Sequence, residues 1–361
     1  MKKAIRLLLI TGVPLLLAGC GKQDVLNGDY SRKPGSPVVF GISSDTETRT
    51  EYREGDFPGE IHPIDWKADD GIRIYSPEAT RTDANSGKHW CDYYVIPRES
   101  DKRWGSLGNY TTGTLAWGDP GAYTFYSIYP RPAADDVDNP AGAGGRLSYT
   151  IPASQTKDPQ MEYAFMTARA TANTSTGTNA VRLDFYPAFT AFVFRLTASE
   201  PVILRSFKLL SSSMAVTGDC TAVYAADGTL TYTVPTVPAN PTEPQTAPVD
   251  VNLGAVELAT GDEISITVFA VPSDLTNMSI RHTASTPGPA ASTVRTHNLQ
   301  LKYSDSATGT GHTPGAYLVF DKCKRHVFKG VTGPYSTQLI EVNSQVVDWV
   351  SQGETEIEVI P

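Results

Sequence analysis

Glycine and proline interrupt this chain about once in every six residues, with 30 Gly and 26 Pro among 361. Either residue costs ~1–3 kcal/mol in a helix interior, so punctuation this dense excludes a helical bundle. It is too sparse and too aperiodic for collagen. Between the interruptions, apolar and polar residues alternate with a period of two, which marks half-buried strands. Val38, Phe40 and Ile42 alternate with Val39, Gly41 and Ser43. Ile72 and Ile74 share one face around Arg73. Residues 123–129 form an aromatic, β-branched run that ends at Pro130. Residues 183–196 are the strongest apolar segment after the N-terminus, and residues 202–210 follow. Later strands are expected at 264–271, 317–320, 340–350 and 355–360. No amphipathic pattern exceeds about two helical turns. Many short strands separated by turn signals point to an all-β chain built of β-sandwiches.

Hydrophobic residues make up 40%, enough to fill a core, and 17 Tyr, 12 Phe and 5 Trp argue against disorder. A length of 361 fits two domains of roughly 150 residues each. The formal charge of -9 excludes a basic nucleic-acid binder.

The N-terminus has its own logic. Lys2, Lys3 and Arg6 precede an apolar run over 7–17, which is too short for a permanent membrane helix. The run ends in Leu17-Ala18-Gly19-Cys20, the pattern of a bacterial lipoprotein signal. Small residues at 18 and 19 let a signal peptidase reach the backbone, and the Cys20 thiol takes the lipid. Residues 1–19 are therefore expected to leave as a signal peptide, taking three positive charges with them. Acyl chains on Cys20 would hold the rest on a membrane, each buried CH₂ contributing ~0.8 kcal/mol. Residues 20–37 are polar and turn-rich, as a tether is.

Within the remainder, residues 168–180 read as an exposed connection before the strongest strand. They place a domain boundary near 180, giving domains at 38–180 and 181–349 and a terminal strand within 350–361. The Pro-rich stretch 235–248 reads as an extended loop. Cys91, Cys220 and Cys323 match no metal spacing; Cys220 and Cys323 could pair, or all three could be buried small hydrophobes.

Catalytic signals are weak. Six His residues lie scattered, and no nucleophile elbow, phosphate loop or dinucleotide fingerprint is present. Ser154-Gln155-Thr156-Lys157 has Ser-x-x-Lys spacing but sits in a Pro-flanked loop. Asp135, Asp136 and Asp138 could offer oxygens to Ca²⁺, and so could Asp65, Asp69 and Asp70, but a solvated loop and a turn account for them better. Trp66, Trp90, Trp104 and Trp117 could form a sugar-stacking platform, but Trp in a sandwich is more often core. No catalytic residue, metal ligand or cofactor is expected.

Several ordered motifs resemble the fimbrillin-like proteins, lipoprotein subunits of type V pili in gram-negative anaerobes. Val38-Val39-Phe40 leads to Thr48-Arg49-Thr50, and Trp66 precedes an acidic turn and Gly71-Ile72-Arg73-Ile74-Tyr75. The family often has Trp-x-x-Gly-Asp there, where this chain has Asp69-Asp70-Gly71. Ile151-Pro152-Ala153-Ser154-Gln155 and Tyr163-Ala164-Phe165-Met166 follow, then Leu183-Asp184-Phe185-Tyr186-Pro187. Ala270-Val271-Pro272, Gly315-Ala316-Tyr317 and Val346-Val347-Asp348-Trp349 complete the series.

The resemblance implies two consecutive transthyretin-like β-sandwich domains and a structural role in a cell-surface fimbria that supports adhesion. It also implies assembly by protease-triggered donor-strand exchange. In those terms an Arg-specific protease would cut after Arg49, with Arg53 and Arg32 as weaker candidates. The cut would release residues 38–43 as a plug. Ile357, Val359 and Ile360 would belong to a donor strand, or 355–360 would pair within its own domain. Partners would be other fimbrial subunits, in a homo- or hetero-polymer, with the outer membrane reached through Cys20. The alternative is a surface lipoprotein that does not polymerise and binds glycans through exposed Trp or Tyr.

Overall fold

The computed structural model describes residues 32–43, 51–52, 64–83, 87, 89–100, 102, 104–110, 113–132, 146–157, 163–176, 180–236, 246–288, 294–302 and 315–341. Cys20, Arg49, Arg53, Asp135, Asp136, Asp138 and the candidate donor residues Ile357, Val359 and Ile360 lie outside them. The described residues contain no α-helix and twenty-three strands. The all-β class expected from the Gly and Pro punctuation is the class observed.

In chain order the first strands are β1 (Phe40–Ser43), β2 (Glu51–Tyr52), β3 (Ile64–Asp65), β4 (Gly71–Tyr75), β5 (Thr80–Arg81), β6 (Trp90–Pro97), β7 (Trp104–Asn109) and β8 (Leu115–Ala116). Next come β9 (Ala122–Tyr129), β10 (Arg146–Ile151), β11 (Ser154–Gln155), β12 (Met166–Asn173), β13 (Val181–Pro187), β14 (Thr190–Ala198), β15 (Val202–Ser211), β16 (Gly218–Tyr224) and β17 (Leu230–Thr233). The last are β18 (Thr246–Leu258), β19 (Glu263–Ala270), β20 (Met278–Ser285), β21 (Arg295–Gln300), β22 (Arg325–Thr332) and β23 (Thr337–Glu341).

Seven strands close a barrel in the order β1-β13-β12-β9-β4-β6-β7. Alternation decides which side chains fill it. Ile72, Ile74, Tyr93, Val95, Phe125, Leu183 and Phe185 are all buried. Two tryptophans pack toward opposite ends of β9. Trp66 meets Tyr129 and Phe185 edge to face at 5.6 and 5.1 Å between centroids, and Trp117 meets Tyr123 and Phe125 at 4.9 and 5.8 Å. Trp90 is also buried, so three of the four tryptophans considered for a sugar platform are committed to packing.

Two further sheets pack face to face later in the chain. One runs β11-β18-β15-β20-β21 and the other β19-β14-β22-β23. Phe194 of β14 and Phe207 of β15 join them across the core at 4.8 Å. A three-stranded sheet, β10-β16-β17, links this sandwich to the barrel. The Tyr224 hydroxyl lies 2.9 Å from Thr167 Oγ1 on β12, and the Tyr232 hydroxyl donates to the Pro187 carbonyl at 3.0 Å.

Three expectations need correction. Residues 183–196 are not one strand. The run divides at Ala188-Phe189 into β13, which pairs with β1 and β12 of the barrel, and β14, which pairs with β19 and β22 of the sandwich. The change of sheet falls at Ala188-Phe189. Earlier residues cross the other way, since β10 pairs with β16 and β11 with β18. Hydrophobic alternation reports that a strand is half-buried, not which neighbour hydrogen-bonds to it. Residues 317–320 make isolated bridges, Tyr317 to Lys302 and Phe320 to Leu275, rather than a strand. The Pro-rich stretch is already β18 at Thr246–Pro248.

Candidate functional site: a groove filled by the N-terminal strand

β1 holds a singular place in the barrel. It runs antiparallel to β7, pairing Gly41 with Ser106, Ile42 with Gly105 and Ser43 with Trp104. On its other side it runs parallel to β13, pairing Phe40 with Val181, Gly41 with Arg182, Ile42 with Leu183 and Ser43 with Asp184. The β1–β13 pairing is the one parallel pairing among the described barrel strands. β1 is also the first of the described strands, so cutting the chain on its C-terminal side separates it from every other described barrel strand. Without it, β7 and β13 would face each other across two strand spacings, roughly 9–10 Å, with unpaired ladder groups on both lips.

Alternation carries β1 side chains into the core. Val38, Phe40 and Ile42 are buried, whereas Val39 is 36% exposed. The Phe40 ring meets Tyr93 at 5.4 Å and Phe125 at 5.1 Å, both edge to face. Tyr93 is held from behind: its hydroxyl lies 3.0 Å from Thr114 Oγ1 and accepts the Leu115 N–H at 3.0 Å. Ile42 sits opposite Gly105, where a Cβ would stand 2.8 Å from the Ile96 carbonyl oxygen and 3.4 Å from Ile42 Cδ1. Glycine is thus required by close approach, and Ile42 uses the space that it leaves.

The strap continues upstream of β1. The Val38 N–H donates to the Leu115 carbonyl at 2.8 Å, Trp117 N–H to the Ser36 carbonyl at 3.0 Å, and Gly35 N–H to the Trp117 carbonyl at 2.7 Å. Arg32 closes it, donating from Nη1 to the carbonyls of Asn173 and Thr176 at 2.8 and 2.9 Å while its guanidinium lies 5.4 Å from the Trp117 ring centroid. Arg32, a weaker cleavage candidate, is therefore engaged by the fold, and a cut there would leave β1 in the subunit.

The sequence marked residues 38–43 as an alternating, strand-like segment, and residues 40–43 form β1 of the barrel wall. It did not identify the lips β7 and β13, or the Tyr93–Phe125 socket. The pair of glycines at 105 and 108 inside one strand was the available signal. A Cβ on Gly108 would overlap the Tyr94 ring, with Cζ 2.2 Å away.

The other candidates fall into packing roles. Cys91, Cys220 and Cys323 are free thiols, so Cys220 and Cys323 are not joined. Burial pushes Cys91 and Cys323 up to about 11 and Cys220 up to about 12, which keeps all three protonated and unreactive at neutral pH. Asp70 closes the turn over residues 67–70, its Oδ2 accepting the Lys67 N–H at 2.7 Å. Trp104 is half-buried under Arg182, 4.8 Å from the guanidinium carbon.

Comparison with solved structures finds the same architecture. A candidate cell adhesion protein from Bacteroides ovatus ATCC 8483 is similar at 14% identity and a TM-score of 0.50, with 90% of this chain and 99% of that chain covered. A second, from Bacteroides uniformis ATCC 8492, is similar at 14% identity and 0.45, covering 84% and 95%. The C-terminally truncated tip fimbrial protein Mfa3 from Porphyromonas gingivalis is similar at 9% identity and 0.40, covering 84% and 98%. Identities this low speak to fold alone. No curated protein sequence matches. A family model described as fimbrillin-like matches residues 48–349, more than four-fifths of the chain. The chain therefore belongs to the fimbrillin-like family.

Proposed function

We propose that this chain is a structural subunit of a cell-surface fimbria, assembled by exchange of β1 for a strand of a neighbouring subunit. The observation that carries the reading is the position of β1, the first of the described strands and the one that closes the barrel between β7 and β13. In this reading the precursor is held on the outer membrane by lipid on Cys20. β1 occupies its own groove until an Arg-specific protease cuts after Arg49. The cut disconnects the strap, and the donor strand of the next subunit takes its place. This subunit's own donor residues would be Ile357, Val359 and Ile360; in an alternating strand Ile357 and Val359 would share one face, with Glu356 and Glu358 on the other.

Burial of Val38, Phe40 and Ile42 contributes roughly 1.5–3 kcal/mol each, so cutting alone does not empty the groove. An incoming strand must compete for the same pockets, which couples release to assembly. Membership of a family of fimbrial structural proteins also argues against an enzyme. The engagement of Trp66, Trp90 and Trp117 in packing removes most of the tryptophan platform from the glycan-binding alternative, which is left with exposed tyrosines such as Tyr110, Tyr186 and Tyr335.

The experiment is to express Arg49→Ala in a strain that builds the fimbria and look for subunit ladders on a gel. Monomer held on the membrane is the expected outcome. Ladders of normal length would remove Arg49 from the mechanism.

A further inference from the structure

The socket that holds Phe40 is braced by residues outside β1. Tyr93 is pinned by Thr114 and the Leu115 N–H, and Phe125 is braced by Trp117 at 5.8 Å and stacks alongside Tyr123 at 6.2 Å. Two edge-to-face contacts on one ring reward an aromatic over an aliphatic side chain of similar area. Two residues further on, the space above Gly105 takes a branched aliphatic, and Ile42 is fully buried there. Two residues before, Val38 is buried beside Leu115, to whose carbonyl its N–H is bonded. Of the intervening positions, Val39 is exposed, whereas Gly41 is buried between Ser106 and Arg182 of the neighbouring strands. β1 is thus an imprint of the groove's preferred occupant.

We infer that the groove selects a strand with an apolar, an aromatic and a branched aliphatic residue at alternate positions, and that this strand comes from a different chain rather than from a second copy of this one. The inference rests on the strand-exchange reading above. Residues 342–361 contain no apolar-x-aromatic-x-apolar triple in either direction. The alternating run there is Ile357-x-Val359, and it leaves the socket without an aromatic. Trp349 is followed two residues on by Ser351 and preceded by Val347, so it brings one apolar neighbour instead of two. The tail of this chain therefore suits the groove of another kind of subunit, and its own groove is filled by a partner that carries the aromatic. Such a mismatch orders two kinds of subunit in a fibre by pocket chemistry alone.

The test uses the full chain with a specific protease site placed in residues 44–47. The cut protein is unfolded and refolded with excess labelled hexapeptide, and incorporation is read by intact mass. Four peptides compete with the strap: the sequence of residues 38–43, the same with Phe40→Leu, the same with Phe40→Ala, and the sequence of residues 355–360. The first should be retained roughly tenfold better than the Leu peptide and roughly a hundredfold better than the Ala peptide. The 355–360 peptide should be retained no better than the Leu peptide. Equal retention of the first three would overturn the aromatic requirement while leaving strand exchange intact. Retention of 355–360 at the level of 38–43 would overturn the assignment to a different chain. Failure of every peptide, including 38–43 itself, would overturn strand exchange and this inference with it.

Discussion

The side-chain amide of Gln155 stands in for a strand beside Phe269. Its Nε2 donates to the Phe269 carbonyl at 2.8 Å, and its Oε1 accepts the Phe269 N–H at 2.9 Å. Gln155 belongs to β11 of the five-stranded sheet, whereas Phe269 lies on β19, an edge strand of the four-stranded sheet. One buried side chain thus satisfies two backbone groups of the facing sheet and ties the sandwich at its corner. Replacing Gln155 with Ala leaves both groups without that partner, at a cost of about 2–4 kcal/mol in urea unfolding. A loss below about 0.5 kcal/mol would mean that the bond pair is dispensable.

Arg73 and Asp92 make the corresponding tie in the barrel. Arg73 Nε meets Asp92 Oδ1 at 2.6 Å and its Nη2 meets Oδ2 at 3.0 Å, both residues being buried. Trp90 lies 3.9 Å from the guanidinium carbon. Asp92→Ala strands a buried cation and should cost about 3–5 kcal/mol. The double change Arg73→Met with Asp92→Leu should cost markedly less, because no charge is then left buried. Equal losses in the two proteins, measured by the same unfolding curves, would contradict a desolvation origin.

Acid should loosen the sandwich through its histidines. Burial pushes His326 down to about 4 and His282 down to about 3, partly offset at His326 by the Asp321 carbonyl, which lies 3.2 Å from Nε2. A folded value below the ordinary ~6.5 means that the fold prefers the neutral ring. The stabilisation is complete above ~6.5 and is lost as pH falls toward 4. His326 packs against Phe192 and Phe320, so Phe fits its place. The His326→Phe protein should lose less stability than the parent between pH 7 and pH 4. Parallel curves of denaturation midpoint against pH would exclude His326 as a source.

Removing residues 351–361 should leave a folded monomer with unchanged circular dichroism that adds to no fibre. Growth at the normal rate, followed by electron microscopy, would take the donor role away from Ile357, Val359 and Ile360.

The strands were legible because alternation and turn residues are local. β4, β9 and β15 lie where apolar periodicity placed them, since half-buried strands need one apolar face whatever their partner. β1 was legible for the same reason. Partners were not. Nothing local in 183–196 marks Ala188-Phe189 as the point where the chain leaves the barrel for the sandwich. Arg73 reads as an outward polar residue until Asp92 and Trp90 cover it, and Gln155 reads as a loop residue until Phe269 is beside it.

The sequence alone determined that the chain is all-β, where many of its half-buried strands run, and the family to which it belongs, because each depends on residue type and spacing along the chain. Only the tertiary structure decided that β1 sits between β7 and β13, that its aromatic enters a socket of Tyr93 and Phe125, and that β13 belongs with the barrel. Those depend on contacts that no local pattern connects, such as Ile42 with Gly105 and Leu183, or Phe40 with Tyr93 and Phe125. The strand pairings among them arise from backbone hydrogen bonds that every residue can make, and therefore leave no mark in side-chain pattern.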